Sequence, residues 1–315
     1  MATKPETGLV TVAAVRRSEG QPNEYLFHQR QPIYTLPRDQ GPESEIAGRF
    51  AKALETRQPL KVTLNNKRGL IQRVTDPSSS DVEEFKRIHP PLEKPDKIIP
   101  IEVLKIDPSV FNFVDLHLKW GCFKLCTKIV PSYAKAKEIF DFCAGLSCHL
   151  PGPYAVTPCI PFQYVIDGCY ARAHQMRRII TTRYKFCCEK VFSFATANSD
   201  RLAVRADKWG GCCVTWWYHV APLLRVRLQL KGLPKGFSLV LAMVIDPGMF
   251  DKPVLLSTWL AAQENASCSA HAHVTEYSIQ PGSAYTPGPG GTFTTDPTYA
   301  STEATLLAYS GLVTC

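Results

Sequence analysis

Residues 159–179 read CIPFQYVIDGCYARAHQMRRI. Strand-like residues end at Asp167-Gly168, and a helical pattern starts at once. Cys169, Ala173, Met176 and Ile180 fall at offsets of four, seven and eleven, which is one helix face. Cys169 therefore occupies the first turn of a helix, on its buried side. Unpaired amide N–H groups and the helix dipole stabilise a thiolate there and lower the thiol pKa. The same amides can stabilise a developing oxyanion.

Two blocks lie downstream. GGCCVTWWYHVAPLL (210–224) is an apolar strand opened by two glycines, and counting by twos puts Cys213, Thr215, Trp217, His219 and Ala221 on one face. FSLVLAMVIDPGMF (237–250) is an apolar strand that runs into Asp246 and stops at Pro247. A carboxylate at the end of a buried strand needs a partner, and the imidazole of His219 is one, fixing its tautomer and orientation. A thiol, a histidine and an acid in the order Cys169, His219, Asp246 are the parts of a thiol acyl-transfer enzyme: Cys attacks a carbonyl, His moves the proton and Asp orients His. The bland reading is a structural or disulfide cysteine beside a hydrogen-bonded core pair. Only the proximity of Cys169 to His219 and Asp246 separates the two.

Upstream, Leu9–Val15 and Tyr25–Arg30 are strand-like. Glu43–Arg57 is helical, with Ile46, Phe50, Ala53 and Leu54 on its apolar face. Strands follow over Leu60–Leu64 and Leu70–Thr75, then a polar, proline-rich linker over 76–97. A strand-rich stretch, Ile98–Val130, leads to Ser132, a plausible N-cap for a helix reaching about Gly145 with Ala136, Ile139, Phe140 and Cys143 inward. Pro281–Pro297, rich in Gly, Pro and Thr, reads as an irregular surface excursion.

The chain has 315 residues and a net charge of +8 that forms no basic arm, so neither nucleic acid nor a membrane surface is the default partner. No apolar run is long enough for a membrane span, and Leu9–Val15 does not read as a signal peptide. All twelve cysteines lie at or after Cys122. Such an even, dense set points to an oxidising compartment and disulfides, and the step near residue 122 divides the chain into two regions. Cys268, His271 and His273 have metal-like spacing but lack a fourth ligand, and they read as a loop. His174 points away from the thiol, in a structural role. Of the adjacent Trp216 and Trp217, one belongs to the core and the other lines the cleft.

The strings DGCYARAH, WYHVA and IDPGMF with the downstream Trp259, together with CIPFQY, CEK (188–190) and the doubled Cys212-Cys213, resemble the protein-glutaminase family over about residues 128–268. The resemblance implies a secreted enzyme that hydrolyses glutamine side-chain amides within proteins. It implies Cys169 as nucleophile, His219 as general base and acid, and Asp246 as the residue orienting His219. Trp217 and Tyr218 are the candidate substrate-binding residues. The implied fold is a papain/transglutaminase-like α+β cysteine hydrolase core, its nucleophile helix packed on an antiparallel sheet, with no cofactor or metal.

Members of this family are made with a pro-region that covers the cleft. Residues 1–127 take that place here by position, as a small α+β domain and intramolecular inhibitor, with the catalytic domain at 128–315 and processing near Lys124–Lys128. The expected partners are proteins or peptides with accessible glutamine, and the expected state is a monomer. Departures from the family pattern are the charged Ala197–Asp207 segment, Cys187 beside Cys188, and CSAHAH (268–273). A transglutaminase or thiol protease on the same three residues is an alternative. A non-catalytic, disulfide-stapled binding protein is the rival from another class.

Overall fold

The computed structural model describes residues 5–17, 21–37, 44–101, 126–150, 158–197, 199–228 and 239–315. In the N-terminal part, β5 (Leu60–Asn65) turns Leu60, Val62 and Leu64 inward by simple alternation. It pairs with β1 (Glu6–Val10) and β6 (Leu70–Thr75). Helix α1 (Glu45–Thr56) starts at Ser44, whose side chain accepts from the Ala47 N–H. Its buried face is Ala47, Phe50 and Ala53. The expected face is thus rotated by a residue, leaving Leu54 exposed, because Phe50 is drawn onto Tyr25 and Phe27 at ring distances of 4.6 and 5.7 Å.

The strand read over Leu9–Val15 divides at Thr11 into β1 and β2 (Val12–Arg16), since the Thr11 N–H bonds the Gln29 side chain instead of a ladder partner. The linker reading of 76–97 is corrected too: α2 (Ser79–Ile88) lies within it. Its serine run forms a capping box in which Ser78 and Asp81 each accept the other's backbone N–H.

After β3 (Glu24–Phe27) comes β4 (Arg30–Thr35), a strand unmarked in the sequence because Pro32 argues against one. It joins the two halves of the molecule. β4 pairs with β3 and β6 on its own side, and Pro32 lies opposite Trp216 of β11 (Cys213–Trp216), which in turn pairs with β10 (Leu202–Arg205). The eight strands described in this sheet therefore come from both parts of the chain. The N-terminal part also keeps a core of its own, around Tyr25, Phe27, Tyr34, Phe50 and Val62.

The second sheet runs in the order β14 (Val254–Leu255), β13 (Leu239–Val244), β12 (Tyr218–Leu228), β9 (Glu189–Phe194), β15 (Glu276–Gln280) and β7 (Ile99–Pro100), with β8 (Ile129–Val130) beside β12. Helix α3 (Tyr133–Ala144), capped by Ser132, buries Ala136, Ile139, Phe140 and Cys143, the four that its periodicity picks out. Helix α4 (Cys169–Arg183) packs on β12 and is buried on every side from Cys169 to Met176. Helix α5 (Leu256–Ala261) carries the buried Trp259, and α6 (Ala300–Tyr309) packs on α4. Between β15 and α6, β16 (Ala284–Pro287) and β17 (Phe293–Thr295) form a hairpin. Its Tyr285 and Phe293 are buried, so Pro281–Pro297 is not a surface excursion: two aromatic side chains in a Gly/Pro-rich stretch anchor it in the core.

Among the described residues, four disulfides join Cys126–Cys187, Cys148–Cys159, Cys212–Cys315 and Cys213–Cys268, while Cys143, Cys169 and Cys188 are free thiols. Cys122, most of the strand-rich stretch read over Ile98–Val130, and the start of Lys124–Lys128 lie outside the described residues. No helix among the described residues is long and apolar enough to cross a membrane.

Candidate active site

Gly168 turns the chain into α4 with φ 82°, and a Cβ there would lie 2.8 Å from the ring of Tyr309. Glycine is needed for both conformation and space. Cys169, the first residue of the helix, is 1% exposed, and the backbone of Val220 on β12 hydrogen-bonds its thiol. Burial pushes this thiol well above its ordinary pKa, against the opposing charge of Arg172. The expectation of a lowered thiol at a helix start is therefore reversed in this closed chain, because desolvation outweighs the helix terminus.

His219, the residue before Val220, lies between two indoles, with ring distances of 4.7 Å to Trp216 and 5.3 Å to Trp259. Its Nε2 is 2.8 Å from Asp246 Oδ2, which also accepts the Trp259 indole N–H at 2.9 Å. Burial alone would raise the Asp246 carboxyl, but the charge and hydrogen bond of His219 and the bond from Trp259 hold it below the usual carboxylate range. With a carboxylate at Nε2, that nitrogen carries a proton, and in the neutral ring Nδ1 is the acceptor.

What faces Nδ1 is a glutamine from the N-terminal part. The Gln31 Nε2 lies 3.2 Å from His219 Nδ1, and the residue is fully buried. Its main chain is held at both ends: the N–H donates to Asp167 Oδ1 at 3.2 Å, and the carbonyl accepts the Trp217 N–H at 3.1 Å. The neighbouring Arg30 is buried against Asp167, Glu6, Tyr170 and Tyr309. Burial raises the Asp167 carboxyl despite Arg30, while the Arg30 charge and hydrogen bonds hold Glu6 below its ordinary value against its own burial.

The structure thus brings the His219–Asp246 pair into direct contact and sets the Cys169 thiol on the residue next to His219. The single strand read through Trp217 is two strands in different sheets. The chain crosses over at Trp217, whose indole N–H donates to the Phe27 and Arg30 carbonyls at 3.1 and 2.7 Å. Both tryptophans are buried: Trp216 stacks on His219, and Trp217 grips the N-terminal segment. Tyr218 is buried in the core that includes Cys169. His174 bonds the Asp296 carbonyl and the buried Lys190 Nζ. Cys268 is tied to Cys213, and His273 contacts Glu264 instead. The sequence reading missed Arg30, Gln31, Asp167 and Tyr309, and no local pattern marks them.

A family model described as a glutaminase matches residues 136–263. A crystal structure of protein-glutaminase is 30% identical over 60% of this chain and 92% of its own length, with a TM-score of 0.51. The chain belongs to the protein-glutaminase family. An NMR structure of protein-glutaminase from Chryseobacterium proteolyticum is 31% identical over 59% of this chain and 91% of its own, with a TM-score of 0.51. The likeness to pro-protein-glutaminase extends further: its crystal structure matches 98% of this chain and 94% of its own at 25% identity, with a TM-score of 0.71. The likeness to the pro-form therefore includes the N-terminal α+β part in addition to the part that contains α4. No curated protein sequence matches the chain.

Proposed function

We propose that this protein deamidates protein-bound glutamine to glutamate with release of ammonia, through a thioester on Cys169, and that residues 1 to about 127 are its inhibitory pro-region. The single observation that carries the reading is the seating of Gln31. The amide nitrogen of its side chain lies 3.2 Å from Nδ1 of His219, whose other ring nitrogen meets Asp246 and whose neighbour Val220 bonds the Cys169 thiol through its backbone. Membership of the protein-glutaminase family supports the same chemistry.

In the reaction, His219 takes the Cys169 proton and sulfur adds to the carboxamide carbon. The nitrogen leaves as ammonia with the proton from His219. Water then adds to the thioester with His219 as base, giving glutamate and the free thiol. Asp246 holds the ring in its tautomer, and Trp216 and Trp259 hold it in its plane. Trp217, which bonds the Phe27 and Arg30 carbonyls and the Gln31 carbonyl, would bind the backbone of a protein substrate in the same way.

The four disulfides support secretion. Inhibition follows from occupancy, since a substrate glutamine and Gln31 cannot share one site. The test is ammonia release from a glutamine-rich protein, by the intact chain and after limited proteolysis near Lys124–Lys128. The cut chain should be active and the intact chain nearly inactive. Cross-linked product would indicate a transglutaminase, and cleaved substrate backbone a protease. Undiminished ammonia release by a cut Cys169→Ala chain would overturn the reading.

A further inference from the structure

Gln31 is an unusual plug. It is a polar side chain with no exposure, and its Oε1 is buried without a hydrogen-bond partner among the described residues. An apolar side chain of the same size would fill the space without leaving an acceptor unsatisfied. What the carboxamide adds is reactivity. Its orientation follows from the ring it touches: Nε2 of His219 is committed to Asp246, so Nδ1 accepts, and the amide NH2 must face it. That puts the nitrogen that has to leave at the ring nitrogen that has to protonate it. The Gln31 main chain is fixed by Asp167 and Trp217, and its flank by the buried Arg30, so little freedom remains to be lost on the way to reaction.

We propose that Gln31 is the enzyme's first substrate: the intact chain deamidates its own Gln31 once, in cis. The inference rests on the acyl-transfer reading above. The Cys169 proton passes to His219, and the sulfur–carbon bond forms at Cδ of residue 31. The carbon–nitrogen bond breaks, and ammonia leaves with the proton. Water then cleaves the thioester, restoring the thiol and leaving a carboxylate at position 31. One water is consumed and one ammonia released. The new carboxylate is buried in a site that already holds the carboxylates of Asp167 and Asp246. Burial and like charge both disfavour it.

The experiment is peptide mass analysis of the full-length chain, wild type against Cys169→Ala and, as a second inactive chain, Cys169→Ser. A chymotryptic peptide after Phe27 carries both Gln29 and Gln31. Gln29 is held by Thr11 and serves as the internal control. The expected result is conversion at position 31 in wild type, an intact amide at Gln29, and intact amides at both positions in the two variants. An intact Gln31 amide in the wild-type chain overturns the proposal. The same wild-type preparation, cut near Lys124–Lys128 and assayed on a glutamine-rich protein, separates the two readings. Ammonia release beside an intact Gln31 overturns self-deamidation alone, and no release beside an intact Gln31 overturns both. Conversion that persists in both Cys169 variants also overturns it.

Discussion

Arg30 and Asp167, 137 positions apart in the chain, meet at 3.3 Å two residues before Cys169. The pair is buried, and Arg30 also satisfies Glu6, Tyr170 and Tyr309. Replacing one partner of a buried pair leaves the other charge without compensation, which costs about 3–5 kcal/mol. Arg30→Met should therefore weaken the closed arrangement by that order. The intact variant should release ammonia from a glutamine-rich protein where intact wild type does not, and its urea midpoint should fall.

Acid should open the chain by a separate route. Burial lowers the His28 ring from 6.5 to about 4, and His28 lies edge-on to Trp217 at 6.0 Å. Between those values the unfolded chain binds more protons than the folded one, so stability is lost as pH falls through that window. The loss amounts to roughly 3 kcal/mol at its lower end. His89 and His174, also lowered mainly by burial, act in the same direction. In thermal melts from pH 7 to 4, His28→Gln should flatten part of the decline, while wild type shows the full slope.

The buried thiol gives a readout of closure. With burial holding Cys169 protonated and covered, the intact chain should react slowly with iodoacetamide at mildly acidic pH. Once cut near Lys124–Lys128 and exposed to solvent at a helix N-terminus, Cys169 should label faster by an order of magnitude or more. Equal labelling before and after cutting would count against the N-terminal part as the cover.

Gly168→Ala tests the turn. The left-handed backbone costs a non-glycine residue about 1–3 kcal/mol, and the added Cβ would press on the Tyr309 ring at 2.8 Å. The melting temperature should fall. Ammonia release by the cut chain should drop by roughly 100-fold, since displacement of the nucleophile by about an ångström has that effect. Wild-type rates in this variant would show that α4 does not depend on the turn.

Much of the scaffold was legible because it follows local rules. Ser132 caps α3, and a four-residue pattern picks out its buried face. α4 opens on Cys169 directly after the glycine, and Asp246 follows an apolar strand two residues on. The linker reading failed where a serine run turned out to cap a helix, and the surface reading of Pro281–Pro297 failed where two aromatics overrode the turn-rich composition.

By itself, the sequence determined the α+β class, the helix that presents Cys169, the apolar strands that carry His219 and lead to Asp246, and the confinement of cysteine to the later region. Periodicity, capping and turn chemistry act within a few residues, so they can be read along the chain. Tertiary structure alone decided that β4, despite Pro32, completes a sheet with β11, that Gln31 reaches His219 across 188 positions, and that the strand through Trp217 changes sheets. It also reversed the direction of the Cys169 pKa. Those outcomes depend on which distant surfaces bury each other, and desolvation by a remote segment outweighs what the helix terminus does locally.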